Sequence, residues 1–151
     1  MKKYTSLSEI TREGRDVTSR MEHPRVLLAD DDKRILESVE LLLASQCEIV
    51  GTVRDGEALL SAVDALLPDV ILLDISLPVL NGFRAARRLR KTHPYVKIIF
   101  FTIHEEPATL TEALSIGAQG YVLKRCAPSD LLPAIRQVLQ DHVYVSPALQ
   151  Q

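Results

Sequence analysis

The sequence predicts a single α/β domain built as a doubly wound parallel sheet. Three observations carry that expectation. Five short apolar runs alternate strictly with segments of helical period over residues 24–142, the pattern of a parallel sheet covered by helices. The run at 69–73 is apolar from Val70 to Leu73, as in a strand buried on both faces. Polar residues stand at the carboxyl ends of four runs: Asp30 and Asp31, Asp74, Thr102, and Lys124. In such sheets ligands gather beyond the carboxyl ends of the strands.

The elements follow in order. Residues 25–29 read as the first strand, and residues 33–45 as a helix with Ile35, Leu36, Val39, Leu42 and Leu43 on one face. That spacing is the helical period. A second strand spans 48–53. A helix over 57–66 turns Leu59, Leu60, Val63, Leu66 and Leu67 inward and ends before Pro68, because a proline disfavours helix in the residue before it. After the strand at 69–73 comes a loop, 75–82, and a helix from Phe83 to Lys91. His93-Pro94 breaks the chain there. Residues 96–101 form the fourth strand, ending at Thr102. The helix at 107–115 stops at Gly117, a C-terminal signal. A short strand at 120–123 ends at Lys124. The last helix, 129–140, buries Leu131, Leu132, Ile135, Val138 and Leu139, with Pro133 near its first turn, where a missing N–H costs least.

Residues 1–23 differ, being rich in Ser, Thr, Arg and Glu. They read as a flexible tail with a capping box at Ser6–Glu9. The 151 residues are 46% hydrophobic and 25% charged, the balance of a soluble domain. A net charge of −2 gives this chain no basis for gripping a nucleic acid backbone by itself. Cys47 and Cys126 stand far apart, in no metal-ligand spacing, and read as reduced thiols. No apolar run approaches the roughly 18 residues of a membrane span, and the N-terminus lacks a secretory pattern. The expected location is the cytoplasm.

If the first and third strands are neighbours, Asp30, Asp31 and Asp74 crowd together. Like charges so placed are costly unless a cation neutralises them. Hard oxygen donors in small number suit Mg²⁺, completed by water and a phosphate. Lys124 offers a compact positive charge for an anion, and the Thr102 hydroxyl can donate to the same anion. A carboxylate can itself attack phosphorus and form an acyl phosphate. Asp74, flanked by apolar residues, is the candidate acceptor, and Asp32 the cap of the first helix.

These residues resemble the receiver domain of bacterial two-component response regulators. The resemblance covers residues 24–142. It rests on Leu28-Ala29-Asp30-Asp31, on Leu72 to Pro78 with Asn81-Gly82, on Phe101-Thr102, and on Gly117 to Lys124. The resemblance implies a flavodoxin-like (βα)5 fold of strand order 2-1-3-4-5. It implies that Asp31 and Asp74 ligate Mg²⁺ with the Ser76 carbonyl, Asp30 helping through water. Asp74 would accept phosphoryl from a histidine kinase, and Thr102 and Lys124 would bind its oxygens. Tyr121 would move inward as Thr102 shifts. The affected face is that of the fourth helix, fifth strand and fifth helix of the alternation. Such a protein is a switch and not an enzyme, with self-catalysed phosphotransfer and autodephosphorylation at most. Homodimerisation on phosphorylation is a further expectation.

Ile103 and Arg125 depart from the commonest family pattern, which has a small residue after the threonine and often a proline after the lysine. Ile103 is expected to narrow access to Asp74. His104 reads as a solvent-facing loop residue and the cluster Arg84, Arg87, Arg88, Arg90 and Lys91 as a solvated face. A haloacid-dehalogenase-type phosphatase wants a second aspartate where Ser76 stands, and no dinucleotide or P-loop motif occurs. A pseudo-receiver acting by protein–protein interaction would have lost part of the acidic pair, acceptor or lysine. Residues 141–149 resemble the exit of NarL/FixJ-type regulators toward a DNA-binding domain. Residues 143–151 therefore read as the start of a linker to an output domain, with a stand-alone receiver as the alternative.

Overall fold

The computed structural model describes residues 17–150; the expected tail up to residue 16, with its capping box, lies outside them. The chain runs through α1 (Val17–Glu22), β1 (Arg25–Ala29), α2 (Lys33–Leu43), β2 (Glu48–Val53), α3 (Gly56–Leu66) and β3 (Val70–Leu73). It continues through α4 (Gly82–Thr92), β4 (Lys97–Thr102), α5 (Pro107–Ile116), β5 (Gly120–Leu123), α6 (Ala127–Leu139) and β6 (Tyr144–Val145). All strands are parallel, in the order β2-β1-β3-β4-β5-β6.

Alternating side chains divide the core in two. Leu27, Ile71, Leu73, Ile98, Phe100 and Tyr121 pack with residues of α3, α4 and α5. Val26, Leu28, Val70, Leu72, Ile99 and Phe101 pack with residues of α2 and α6. A strand turns successive side chains to opposite faces. With helices on both faces every position must be apolar, so β1, β3, β4 and β5 lack the polar alternation of a one-sided sheet.

The caps are those the residue types favour. Asp32 Oδ1 accepts from the Arg34 N–H at 2.9 Å, opening α2. Asp55 does the same for α3 and Asn81 for α4. Gly117, at φ 103°, ends α5, a left-handed conformation that glycine adopts without strain. Two other glycines are demanded by space. A Cβ on Gly82 would lie 2.3 Å from the Asp74 carbonyl oxygen, and one on Gly56 would lie 1.9 Å from that of Leu80. The loop between β3 and α4 is thus clamped from both sides. Inside it, the Leu80 N–H donates to the Pro78 carbonyl at 2.7 Å across Val79, whose φ is 69°. That is the strained form of the three-residue turn.

Three expectations are corrected. The last helix begins at Ala127, directly after a 3-10 turn at Lys124–Cys126. Pro133 therefore sits in the second turn, exposed, where its missing N–H does remove a helical bond. Leu60 and Leu66 face inward as expected, partly buried against the core beside the fully enclosed Leu59 and Val63, whereas Leu67 is the left-handed cap that ends α3 at φ 46°. Most consequential, residues 144–149 do not leave the domain. Tyr144 and Val145 pair with Gly120 and Tyr121, adding a sixth strand. Ser146 is fully buried: its hydroxyl donates to Asp130 Oδ2 at 2.7 Å and accepts from the Leu123 N–H at 3.0 Å. That one hydroxyl satisfies the Leu123 N–H and joins Ser129 in serving the Asp130 carboxylate.

Ser146→Ala should therefore destabilise the domain by about 1–3 kcal/mol, the cost of leaving the buried Leu123 N–H without its partner. The check is urea unfolding, in which the midpoint falls while the slope is unchanged. A midpoint equal to that of the unmodified chain would show the Ser146 hydroxyl to be dispensable.

Candidate functional site

Strand register builds the site. Ala29 pairs with Leu73, so the residues that follow them, Asp30 and Asp74, emerge side by side. The Asp74 N–H continues the ladder to the Ala29 carbonyl at 3.0 Å, and the Asp30 N–H to the Val53 carbonyl at 3.1 Å. Both aspartates are buried, whereas Asp31 is exposed. One carboxylate oxygen from each of Asp30, Asp31 and Asp74 lies within 4.8 Å of the others.

Lys124 follows β5 and reaches back over this cluster. Its Nζ is 2.7 Å from Asp30 Oδ2 and 3.5 Å from Asp74 Oδ2. The contact with Asp30 is a charge contact, because no aligned hydrogen-bond donor reaches that buried oxygen. Asp30 Oδ2 thus keeps lone-pair capacity toward the cluster, and the donor set is entirely hard oxygen. Both features fit a small divalent cation.

Burial, reinforced by the neighbouring Asp30 charge, holds the Asp74 carboxyl above the ordinary carboxylate range. Lys124 and the Ser76 N–H, which donates to Asp74 Oδ1 at 3.3 Å, pull the other way without prevailing. Ser76 is exposed at the rim.

Thr102 pairs with Leu123 and so stands one step below Lys124, fully buried. Its Oγ1 accepts from the His104 N–H at 3.1 Å, which leaves the hydroxyl hydrogen free to donate. The Tyr121 hydroxyl donates to the His104 carbonyl at 2.8 Å. The Tyr121 ring is fully buried. Burial, then the Glu106 and Glu105 carboxylates, push the Tyr121 hydroxyl up to about 12.

Sequence reasoning missed several contributors. His104, read as a loop residue, joins Thr102 to Tyr121 through its backbone. Glu105 and Arg125 form a bidentate ion pair, Nε to Oε2 at 2.9 Å and Nη2 to Oε1 at 2.8 Å. The arginine cluster of α4 is only partly a solvated face. Arg87 pairs with Glu112 at 2.9 Å, and Arg90 donates to the Val96 carbonyl at 3.0 Å. Ile103 is 73% exposed, turned toward solvent beside Thr102. A Glu105 in register with Arg125 has no local sequence signature, since the contact spans 20 residues.

A sequence model for the response regulator receiver domain matches residues 26–136. The chain is 35% identical over 125 residues to the transcriptional regulatory protein DegU of Brevibacillus brevis, covering 82% of this chain and 53% of that protein. It is 33% identical over 133 residues to the nitrate/nitrite response regulator protein NarL of Escherichia coli (strain K12), covering 87% and 62% respectively. The chain therefore spans less than two thirds of the length of these relatives. A solved two-component response regulator of the LuxR family from Aurantimonas sp. SI85-9A1 superposes with a TM-score of 0.81 at 28% identity, covering 85% of this chain and 94% of that one.

The raised Asp74 carboxyl has a thermodynamic sign. The folded state holds that proton more tightly than the unfolded state does. The resulting stability is present below the ordinary value of 3.8 and is lost as pH rises through the raised folded value. Asp74→Asn removes the loss. Its melting temperature should exceed that of the unmodified chain by a few degrees at pH 7, and the gap should narrow toward about pH 4. Calorimetry at both pH values checks this; a gap that widens at low pH would contradict it.

Proposed function

The chain belongs to the response regulator receiver family, and from that premise we propose that it is a phosphorylation-operated switch whose acceptor is Asp74. The observation that carries the reading is Lys124 poised between Asp30 and Asp74 at 2.7 Å and 3.5 Å. A cation so placed can follow either an acidic partner or an incoming phosphoryl oxygen.

Asp31 and Asp74, with the Ser76 carbonyl and with Asp30 beside them, would hold Mg²⁺, which when bound supplies charge neutralisation for the phosphoryl oxygens. The rest is work for the chain's own groups. Asp74 must be ionised to attack, so acceptance of phosphoryl weakens as pH falls into its raised range. Lys124 turns from Asp30 to the phosphoryl oxygens, and the Thr102 hydroxyl donates its free hydrogen to them. Any shift of Thr102 acts on the same His104 peptide that holds the Tyr121 hydroxyl. Phosphorylation thereby favours one of two pre-existing states of the α5–β5–α6 face. The phosphoryl source is a histidine kinase. The output is transcriptional, through a DNA-binding domain beyond residue 151, with homodimerisation on phosphorylation. The NarL, DegU and LuxR-family relatives support that output.

Incubation with Mg²⁺ and a small phosphodonor, followed by intact mass measurement, tests the acceptor. One phosphate should add to the unmodified chain and vanish in Asp74→Asn or on chelation of the metal. Lys124→Ala should slow labelling about 100-fold, the scale of loss on removing one charge-stabilising donor. Labelling that persists in Asp74→Asn would exclude Asp74 as the acceptor.

A further inference from the structure

Beside Lys124 lies a hollow of about 120 Å³ lined by Thr102, Ile103, Glu105, Leu123, Lys124 and Arg125. Its lining contains both groups assigned to the phosphoryl oxygens and none of the three carboxylates. A phosphodonor reaching Asp74 between Thr102 and Lys124 has this hollow available for its leaving group. The Glu105–Arg125 pair bridges the hollow's two walls, joining the β4–α5 loop to the turn after β5. The same loop is pinned one residue earlier, through the His104 contacts with Thr102 and Tyr121. The clasp can therefore open at Glu105 without disturbing the buried switch residues.

The geometry points to Glu105 and Arg125 as positioning residues that set which phosphodonor the chain accepts. This rests on Asp74 being the acceptor. Closed, the clasp spends the Arg125 guanidinium on Glu105, and the other cation of the lining, Lys124, is engaged by Asp30 and then by the phosphoryl oxygens, which leaves none for a leaving group. Opened, Arg125 presents a planar pair of donors that matches a carboxylate. With an acyl phosphate, the Asp74 oxygen–phosphorus bond forms as the phosphorus–oxygen bond to the acyl group breaks. The electron pair departs on a carboxylate, which a free Arg125 stabilises. With phosphoramidate, the phosphorus–nitrogen bond breaks and the protonated nitrogen leaves as neutral ammonia, to which a guanidinium offers nothing. The clasp thus acts against acyl phosphates selectively. Both partners are exposed, and exposed pairs are weak even in good geometry. The effect should accordingly be about fivefold in rate.

The test measures initial labelling rates of the whole chain with Mg²⁺, by acetyl phosphate and by phosphoramidate, read as intact mass. The quantity compared is the ratio of the two rates. Glu105→Gln, which frees Arg125, should raise the ratio about fivefold. Glu105→Gln combined with Arg125→Gln should return it to the starting value. Glu112→Gln, the same change in net charge placed on α5 against Arg87, should leave it unmoved. A ratio unchanged or lowered in Glu105→Gln overturns the proposal, as does a gain that survives in the double variant or appears in Glu112→Gln. Absence of label on the unmodified chain from either donor overturns the acceptor reading itself, and the clasp with it. Normal label with an unresponsive ratio overturns the clasp alone.

Discussion

The structure depends on one cation held over two buried carboxylates. Parallel register forces Asp30 and Asp74 out of adjacent strands into the same dry corner. Two ionised carboxylates there repel each other, and neither can recover the solvation it has lost. Lys124 offsets part of that repulsion, but its contact with Asp30 is unaligned and Asp74 remains reluctant to ionise. A buried arrangement of this kind contributes little net stability compared with apolar packing, yet removing the lysine would leave two buried carboxylates without their cation and is strongly destabilising. The arrangement is best understood as a site kept under electrostatic tension, with capacity for another cation and for an anion.

That tension is useful only if the surrounding backbone cannot relax. The β3–α4 loop is held by two glycines whose backbones touch neighbouring carbonyls, and by the strained turn at Val79. On the other flank, the His104 peptide ties Thr102, at the carboxyl end of β4, to Tyr121 of β5. The sixth strand adds a second connection to β5. Ser146 accepts from Leu123, the residue before Lys124, and donates to Asp130 of α6. Residues 144–146 are consequently joined to the strand that leads into the lysine.

Much of this was legible in the chain. The five strands and their helices follow from periodicity, because a fully covered parallel sheet leaves a wholly apolar strand and a one-faced helix little freedom. The polar residues at strand ends could be assembled into one site because the topology sends every carboxyl end to the same edge. Asp32 announces itself as a cap by its place before an apolar helical pattern. Pro133 was misplaced because the helix grows directly out of a 3-10 turn that carries no sequence mark. The strand at Tyr144–Val145 went unread because two residues contain no period.

By itself the sequence determined the layers of the fold, the edge where chemistry gathers and the identity of the acidic, hydroxyl and lysine groups there. These depend on local patterns and on a topology with few alternatives. Only the tertiary structure decided how those groups are engaged. It alone has Lys124 turned toward Asp30, Tyr121 enclosed, Ser146 filling a buried polar gap and Glu105 clasped to Arg125. Each of these is a contact between residues 16 to 94 positions apart. Side-chain pairing at such separations is set by packing and desolvation, which no local pattern records.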